Sequence, residues 1–342
     1  MKKIVLLAAA ALALASCDNN EDNQLTSTEA AKITATIGNS AVTRAADTEW
    51  APGDQIGISS TIGVDETVPG PFINYKYTTV NGDGEFKGNP LFFYKPMTLV
   101  AYYPYAGVEG TAPGTNGFIE ANTKPDNQLA DNQVWIDFLW DSKTGIGRKD
   151  FSASDPNVAF RFSHKMSKLT FTFRKSDATY DRNNVLIAKG VDVSDMISYG
   201  IEGLGLVGTF DTATGVCAID EEKEPRSTLT ISFRKGTVEN EKAMPSLIVF
   251  PQKQPEKGNF MLHITTDELG TDEAGNRLPE QKYNCALPFS DNEIKPGCHY
   301  KFTIQVTKVG LILGDMSIDE WEPAREWSGT ATIDGDIFLT GK

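Results

Sequence analysis

The sequence predicts an all-β protein, and three observations support that prediction. Short segments that alternate apolar and polar residues recur at intervals of roughly 8–12 residues, a spacing typical of β-sandwiches or barrels. Turn sequences rich in glycine and asparagine, such as residues 81–84 (NGDG), separate these segments because both residues accept positive φ angles. Helical periodicity is weak throughout, with residues 185–197 as the best candidate.

The chain begins with the pattern of a secretory signal peptide. Two lysines precede an apolar run at residues 4–14, which is too short for a membrane-spanning helix. Small residues then lead into Cys17, and residues 14–17 (LASC) resemble a bacterial lipobox. This resemblance implies that residues 1–16 are removed and that Cys17 is lipidated, which anchors the protein to a membrane. An ordinary signal peptide with an incidental cysteine is the alternative.

Charge and length limit what the mature chain can do. Removing residues 1–16 leaves 30 basic residues against 46 acidic ones, a net charge of −16. A protein this acidic is repelled by phosphate backbones, so nucleic-acid binding is excluded. The remaining length corresponds to about two domains. We expect an acidic tether at residues 17–30, an N-terminal β-sandwich domain at 31–155 and a C-terminal one at 156–342.

The predicted strands follow this division. In the N-terminal part they are residues 33–37, 55–58, 75–80 and 99–103, and Pro104 ends the last of them because it cannot donate to the ladder. Residues 106–130 are predicted to be a long surface loop. In the C-terminal part the predicted strands are residues 158–162, 169–173, 229–233, 247–250, 260–265, 283–287, 300–306 and 333–339.

Motifs for catalysis or for metal binding are missing from the sequence. His299 follows Cys298, but neighbouring strand residues point to opposite faces, so the two cannot form a catalytic pair. The acidic residues at 267–273 lack the ligand spacing of an EF-hand. We therefore expect no enzymatic activity, no metal and no cofactor. A disulfide between Cys285 and Cys298 remains open, because its formation requires neighbouring strands.

Several local patterns, taken in order, resemble the fimbrillin family of Bacteroidales, the lipoprotein-derived pilins and Mfa-like proteins. After the lipobox they are residues 43–45 (TRA), 50–58 (WAPGDQIGI), 101–105 (AYYPY), 162–169 (FSHKMSKL), 294–297 (IKPG), 300–302 (YKF) and 318–321 (IDEW). The resemblance implies two transthyretin-like β-sandwich domains in tandem, export to the outer membrane as a surface-exposed lipoprotein, and a structural role in adhesive fimbriae. The implied partners are other fimbrial subunits, the outer membrane through the lipid, and ligands on host or bacterial surfaces.

In such pilins a trypsin-like protease cuts after an arginine and removes an N-terminal strand, and the groove left behind accepts a strand from the next subunit. Here the resemblance assigns the cleavage to the bond between Arg44 and Ala45. The removable strand would carry Ile33, Ala35 and Ile37 on its buried face, and an edge exposed by its loss is a template for another chain.

A candidate donor strand lies near the C-terminus and carries Ile333, Ile337 and Phe338. Residues 334–336 (DGD) interrupt its alternation, so the roles of stalk, anchor and tip subunit all stay open. A different class of function is also open. Trp135 and Trp140 could form an aromatic platform on a monomeric surface lipoprotein that binds glycans.

Overall fold

A computed structural model describes most of the chain between residues 30 and 321. The described residues are 30–38, 49–60, 72–92, 97–146, 157–177, 179–180, 182–184, 186–188, 191–267, 280–307 and 310–321. Strands dominate this part of the chain, and the helices are single turns. The prediction of an all-β protein is therefore confirmed. None of the helices in these ranges has the length and apolar character needed to cross a membrane.

The first half contains strands β1 to β8. They are β1 (Lys32–Ile37), β2 (Gln55–Ser60), β3 (Tyr75–Thr78), β4 (Glu85–Gly88), β5 (Met97–Tyr103), β6 (Phe118–Asn122), β7 (Leu139–Ile146) and β8 (Asn157–His164). A 3-10 turn (Pro125–Gln128) and helix α1 (Ala130–Gln133) lie between β6 and β7.

The second half contains strands β9 to β22. They are β9 (Ser167–Lys175), β10 (Thr179–Tyr180), β11 (Leu186–Ala188), β12 (Met196–Leu204), β13 (Val207–Asp211), β14 (Cys217–Ile219), β15 (Ser227–Ser232), β16 (Leu247–Val249), β17 (Gln252–Lys253), β18 (Met261–Thr266), β19 (Gln281–Ala286), β20 (Glu293–Ile294), β21 (Cys298–Thr307) and β22 (Gly310–Glu320). Val193–Asp195 and Ser290–Asn292 form 3-10 turns.

Seven strands of the first half form a closed ring, which we call the first strand group. Its order is β1-β4-β3-β2-β5-β7-β8, and β8 closes the ring by pairing with β1 in parallel. Aromatic and aliphatic side chains fill the interior, including Trp50, Ile58 and Phe160. By its hydrogen bonds β8 belongs to this group, although it follows the expected domain boundary at residue 155.

The second strand group consists of two four-stranded sheets that share one core. Their orders are β16-β9-β21-β22 and β15-β12-β18-β19. Buried and partly exposed residues alternate along β9, which places Phe171 against Tyr199 of the other sheet at a ring distance of 5.6 Å. The period-two pattern in the sequence therefore marks the inner faces of the sheets. Within residues 185–197, the best helical candidate, the described residues form a short strand at 186–188, a 3-10 turn at 193–195 and the start of β12.

A third cluster of buried side chains, the junction cluster, contains residues from both halves of the chain: Tyr102, Ile136, Phe138, Met166, Phe210, Cys217, Ile248, Phe250 and Trp321. The rings of Phe138 and Phe210 stack at 4.5 Å. In addition, β6 pairs with β13 across residues 118–122 and 207–211. The region predicted to be a long loop, residues 106–130, therefore supplies a strand to a sheet whose other members lie in the second half.

Candidate functional site

The first strand, β1, lies between two strands that are distant from it in sequence. It pairs in parallel with β8 along its whole length, from Lys32 opposite Asn157 to Ile37 opposite Phe162. On its other side it pairs with β4 in antiparallel orientation, at Ile33 opposite Phe86 and at the next residue. Both edges of β1 therefore take part in the ladder that closes the first strand group.

One face of β1 is buried in the core. Ile33, Ala35 and Ile37 are only 1%, 3% and 7% exposed, and the residues between them are partly or fully exposed. The expected strand and its expected buried face are both present. Full burial of an isoleucine side chain is worth about 1.5–3 kcal/mol, so this face contributes strongly to the stability of the ring.

Trp50 supports β1 from inside the closed ring of strands. Its indole Nε1–H donates a hydrogen bond of 2.9 Å to the carbonyl oxygen of Ala35. Its ring meets those of Phe86 and Phe162 edge-on, at centroid distances of 5.1 and 5.4 Å. The ladder between β1 and β4 does not reach the carbonyl of Ala35. Without the indole N–H as a donor, this carbonyl would be left unpaired in the core.

Gly84 allows the close approach of the turn before β4 to β1. Its carbonyl accepts a hydrogen bond of 2.8 Å from the amide of Ala35. Its φ is +79°, and a Cβ atom there would lie 2.5 Å from the carbonyl oxygen of Ala35. The turn itself is held by Asp83, whose carboxylate accepts from the amide of Glu85 at 3.0 Å. This bond, together with one from Asn81, lowers the pKa of Asp83.

We call the space that β1 fills the β1 groove. It is bounded by β4 and β8 and lined by Trp50, Phe86, Phe160 and Phe162. Backbone hydrogen bonds also mark its two ends: Ala31 donates to Leu91 and Gly38 donates to Phe162, each at 2.8 Å.

Only part of the sequence-predicted site lies within the described residues. Ile33, Ala35 and Ile37 lie together in the β1 groove. Cys17, Arg44, Ala45, Ile333, Ile337 and Phe338 all lie outside the described residues, so lipidation, cleavage and the donor strand stay predictions. Sequence reasoning treated Trp50 as a core or motif residue and Gly84 as a turn residue. It missed the contacts of both residues with Ala35. The only signal in the sequence for the role of Trp50 is its position just after the segment that contains Arg44.

Three of the motifs quoted above meet next to the junction cluster. His164 stacks on Trp321 at 4.1 Å, and its Nδ1 lies 2.8 Å from a carboxylate oxygen of Asp137. The amide of Trp321 donates to Gly297, whose own amide donates to Met166. These motifs therefore join the last strand of the first group to the two strands that end the described chain.

The two tryptophans of the glycan-binding hypothesis have different surroundings. Trp135 is 62% exposed. Trp140 instead donates its indole N–H to Thr212 at 3.0 Å, and the Lys165 ammonium lies over its ring at 5.1 Å. Gly215 packs so closely against the same ring that a Cβ there would come within 2.6 Å of it. Trp140 is thus a packing residue, and the pair does not form an open platform.

The remaining candidates for chemistry have structural partners. His299 Nε2 lies 2.7 Å from the hydroxyl oxygen of Thr170, while Cys298 packs against the core of the second group. The two neighbours therefore face opposite ways, as predicted. All three cysteines of the described residues are free, so no disulfide joins Cys285 to Cys298. In this same part of the chain, no group of histidine, cysteine and carboxylate side chains could hold a metal ion.

The family model described as "Fimbrillin-like" matches residues 43–321, which is most of the chain. The chain belongs to the fimbrillin-like family. It is 32% identical over 206 residues to a protein of Bacteroides uniformis that is proposed to be a fimbrium subunit, Fim1C. That match covers 57% of this chain and 63% of the length of Fim1C.

Two solved structures are similar to this chain. A proposed cell adhesion protein from Bacteroides ovatus is 26% identical, with a TM-score of 0.63 over 86% of this chain and 99% of the other. A second proposed cell adhesion protein, from Bacteroides uniformis, is 19% identical and has a TM-score of 0.57 over 85% of this fimbrillin-like chain and 99% of the other. The second likeness shows the fold alone. The relatives named here are fimbrial and adhesion proteins rather than enzymes.

Proposed function

We propose that this protein is a structural subunit of adhesive cell-surface fimbriae, exported as an outer-membrane lipoprotein and assembled by exchange of β1 for a strand of another subunit. One observation carries the proposal: β1 is buried on one face and bonded on both edges. The only covalent link between β1 and the other strands of the ring is the segment that contains Arg44.

The physical basis of the exchange is the state of the ring after β1 is lost. The edge of β8 would expose backbone N–H and C=O groups, and the core side chains of the β1 groove would face water. Such an edge is a strong template for another strand. A strand from a second subunit restores both the ladder and the burial, so the lost free energy returns as binding free energy between subunits.

The cleavage that starts this process falls, in our proposal, between Arg44 and Ala45. This bond lies seven residues after Ile37 and before Trp50, so cleavage removes β1 and leaves the indole in the ring. The donor strand is proposed to include Ile333, Ile337 and Phe338. Other fimbrial subunits, identical or different, are the proposed partners.

We also propose a domain organisation of two tandem transthyretin-like sandwiches. The ladder of β8 with β1 and β7 supports a division just after His164. This is later than the boundary at residue 155, which was expected from the start of the second block of predicted strands. Hydrogen exchange of the processed protein tests the division, because the amides of β8 should be protected together with those of β7, and the amides of β9 together with those of β21.

A variant at the proposed cleavage site tests the proposed assembly. Cells expressing the wild-type protein should yield surface material that begins at Ala45 and migrates as a ladder when run unheated in detergent. Arg44→Ala should abolish both results. Arg182→Ala, which changes another exposed arginine, is the matched control and should behave as wild type. Surface material that begins only at Cys17, or an unchanged ladder in Arg44→Ala, would contradict the proposal.

Lipidation is tested separately. Labelled palmitate should be incorporated into the wild-type protein and should be lost in Cys17→Ser. If the label persists in Cys17→Ser, the anchor is not at Cys17.

A further inference from the structure

One sheet of the second strand group ends at β16, which takes the place that β4 takes in the first group. β16 pairs in antiparallel orientation with β9, as β4 pairs with β1. The far edge of β4 pairs with β3, because the first group is a closed ring. β16 is instead the end strand of an open sheet. The second group therefore has a sheet edge at a position where the first group has none.

The sequence around β16 makes this edge a strong template for another strand. Residues 247–250 (LIVF) carry no charge, belong to residue types that favour strands and are all buried. Pro245 and Pro251 flank them, and a proline ends a ladder because it lacks an N–H donor. An uncharged apolar edge of this kind pairs with other strands if it is left open.

Glutamine side chains occupy the edge of β16. The Gln128 amide bonds both backbone groups of Ile248: its Oε1 accepts from the N–H at 2.9 Å, and its Nε2 donates to the carbonyl at 2.8 Å. Nε2 of Gln133 donates to the carbonyl of Ser246 at 2.6 Å. Residues two apart along a strand direct their backbone groups to the same edge. The two amides therefore make the bonds that a neighbouring strand would make.

A third glutamine bonds the next carbonyl along this edge. Nε2 of Gln252 donates to the carbonyl of Phe250 at 3.1 Å, and its Oε1 accepts from the amide of Gly205 at 2.8 Å. Gln252 follows β16 directly in the chain, so it stays at this edge in any arrangement of the two halves. Only Gln128 and Gln133 reach β16 from elsewhere.

Gln128 and Gln133 lie in the connection between β6 and β7, in the other half of the chain. They end a 3-10 turn (Pro125–Gln128) and helix α1 (Ala130–Gln133), and neither turn has a side-chain cap at its start. Helical turns this short are not stable on their own. Gln128 is buried, and its Nε2 also donates to the carbonyl of Thr123 at 2.8 Å. The connection therefore depends on these amide bonds to stay on the edge of β16.

We propose that Gln128 and Gln133 form an amide cover over the edge of β16, and that this cover restricts strand addition to the β1 groove. A side-chain amide has a carbonyl and N–H donors, so it satisfies the same backbone groups as a strand. Unlike a strand, it presents no further edge on its other side. The restriction to the β1 groove rests on the proposed function, whereas the protection of β16 does not.

The opposite edge of the same sheet is protected in another way. The register of β22 against β21 shifts between Phe302 and Ile304. Asp315, Asp319 and Glu320 of β22 are exposed. Irregular pairing and charged side chains both discourage the addition of a strand. β16 consists of three buried apolar residues and has neither device, so its protection comes from the amide cover.

The experiment asks whether the uncleaved protein gains a strand-accepting edge when the amide cover is removed. Every full-length variant carries Arg44→Ala, so that β1 stays in its groove. Gln128→Met keeps the length of the side chain but leaves both backbone groups of Ile248 without their partner. A fluorescent peptide of residues 31–38 (AKITATIG) is the probe, and anisotropy reports its binding.

Gln128→Met should bind the peptide at least about tenfold more tightly than the Arg44→Ala parent, because unpaired backbone groups are costly in the core. The amide of Ile248 should exchange with solvent at least about tenfold faster. Sedimentation should show self-association of Gln128→Met that grows with protein concentration, while the parent stays monomeric.

Gln254→Met is the matched control, because the Gln254 amide donates to the carbonyl of Gly258 in a loop, at 2.7 Å, and not to a strand edge. It should behave as the parent does. If Gln128→Met does not fold, Gln133→Met takes its place, since it removes the bond to Ser246 from a partly exposed position. The same outcomes then apply to it.

Two results would overturn the proposal. In the first, Gln128→Met exchanges the Ile248 amide faster but binds no peptide and stays monomeric. In the second, Gln254→Met gains the same binding as Gln128→Met. Failure of the proposed function is seen separately, because it appears as wild-type protein that is cleaved at Arg44 and forms no ladder.

Discussion

The two strand groups place their first strands in the same way but hold them differently. β1 pairs in parallel with β8 and in antiparallel orientation with β4. β9 likewise pairs in parallel with β21 and in antiparallel orientation with β16. Two residues join β9 to β8, and both neighbouring ends lie beside the junction cluster. β1 instead continues into the segment that contains Arg44.

The side chains of the two first strands also differ in size. β9 buries Leu169, Phe171 and Phe173, while β1 buries two isoleucines and an alanine. A strand held by large aromatic rings and a short connection is a permanent part of its core. β1 is held by aliphatic side chains, its ladder with β4 and β8 and one indole hydrogen bond, and it buries no aromatic ring of its own. The same strand position is therefore fixed by large aromatic rings in one group and by smaller aliphatic side chains in the group where we propose strand exchange.

The largest expected loss of stability comes from a substitution in the second strand group. Phe171→Ala removes a fully buried ring that stacks on Phe302 at 5.2 Å. It should lower the free energy of unfolding by about 3–5 kcal/mol, measured by urea denaturation. Thr172→Ala changes the next residue, on the opposite face, and should cost much less. Equal losses of stability in the two variants would contradict the view that large buried rings hold β9 in its core.

The next effect concerns the indole beneath β1. Trp50→Phe keeps an aromatic ring but leaves the carbonyl of Ala35 without its donor. The free energy of unfolding should decrease by about 1–3 kcal/mol, and the loss of stability should be local to β1. Hydrogen exchange should show faster exchange of the β1 amides, with the β9 amides unchanged. Uniform loss of protection across both groups would show that β1 is not an independent element.

A smaller effect separates backbone strain from contact with β1. Gly84→Ala and Gly53→Ala both place a side chain at positive φ, but only the first brings a Cβ too close to another group, 2.5 Å from the carbonyl oxygen of Ala35. Gly84→Ala should be less stable than Gly53→Ala by at least about 1 kcal/mol in thermal unfolding. Removing β1 should erase that difference. A difference that persists after cleavage would place its cause elsewhere.

The smallest expected effect concerns the reactivity of a buried cysteine in the second strand group. Burial raises the pKa of the Cys285 thiol to about 11, from an ordinary value of 9. The neutral thiol therefore contributes stability below about pH 9, which is lost as the pH rises through 11. At pH 8 iodoacetamide should react with the partly exposed Cys298 before Cys285. Cleavage at Arg44 should leave the rate at Cys285 unchanged, whereas acceleration would show that the second group depends on β1.

Local patterns were sufficient for much of the fold. The alternation at residues 33–37 and 169–173 corresponds to β1 and β9, with the predicted faces buried, whereas the continuous apolar run at residues 99–103 corresponds to β5, which is buried on both faces at residues 99–102. β6 was missed because its residues are partly or fully exposed and lie in a stretch rich in Gly, Thr, Asn, Pro and Asp, and its partner β13 lies 85 or more residues away. The expected boundary at residue 155 assigned the strand at residues 158–162 to the C-terminal part, because its alternation is the same whichever group it joins.

The sequence by itself determined the all-β class, the strand at residues 33–37 and the resemblance to fimbrillins, because each depends on neighbouring residues or short motifs. Only the tertiary structure decided that β1 closes a ring of strands and that Trp50 and Gly84 hold Ala35. These contacts join residues 15 to about 125 positions apart. Pairing over such distances is set by loop closure and packing across the whole molecule, which no local pattern encodes.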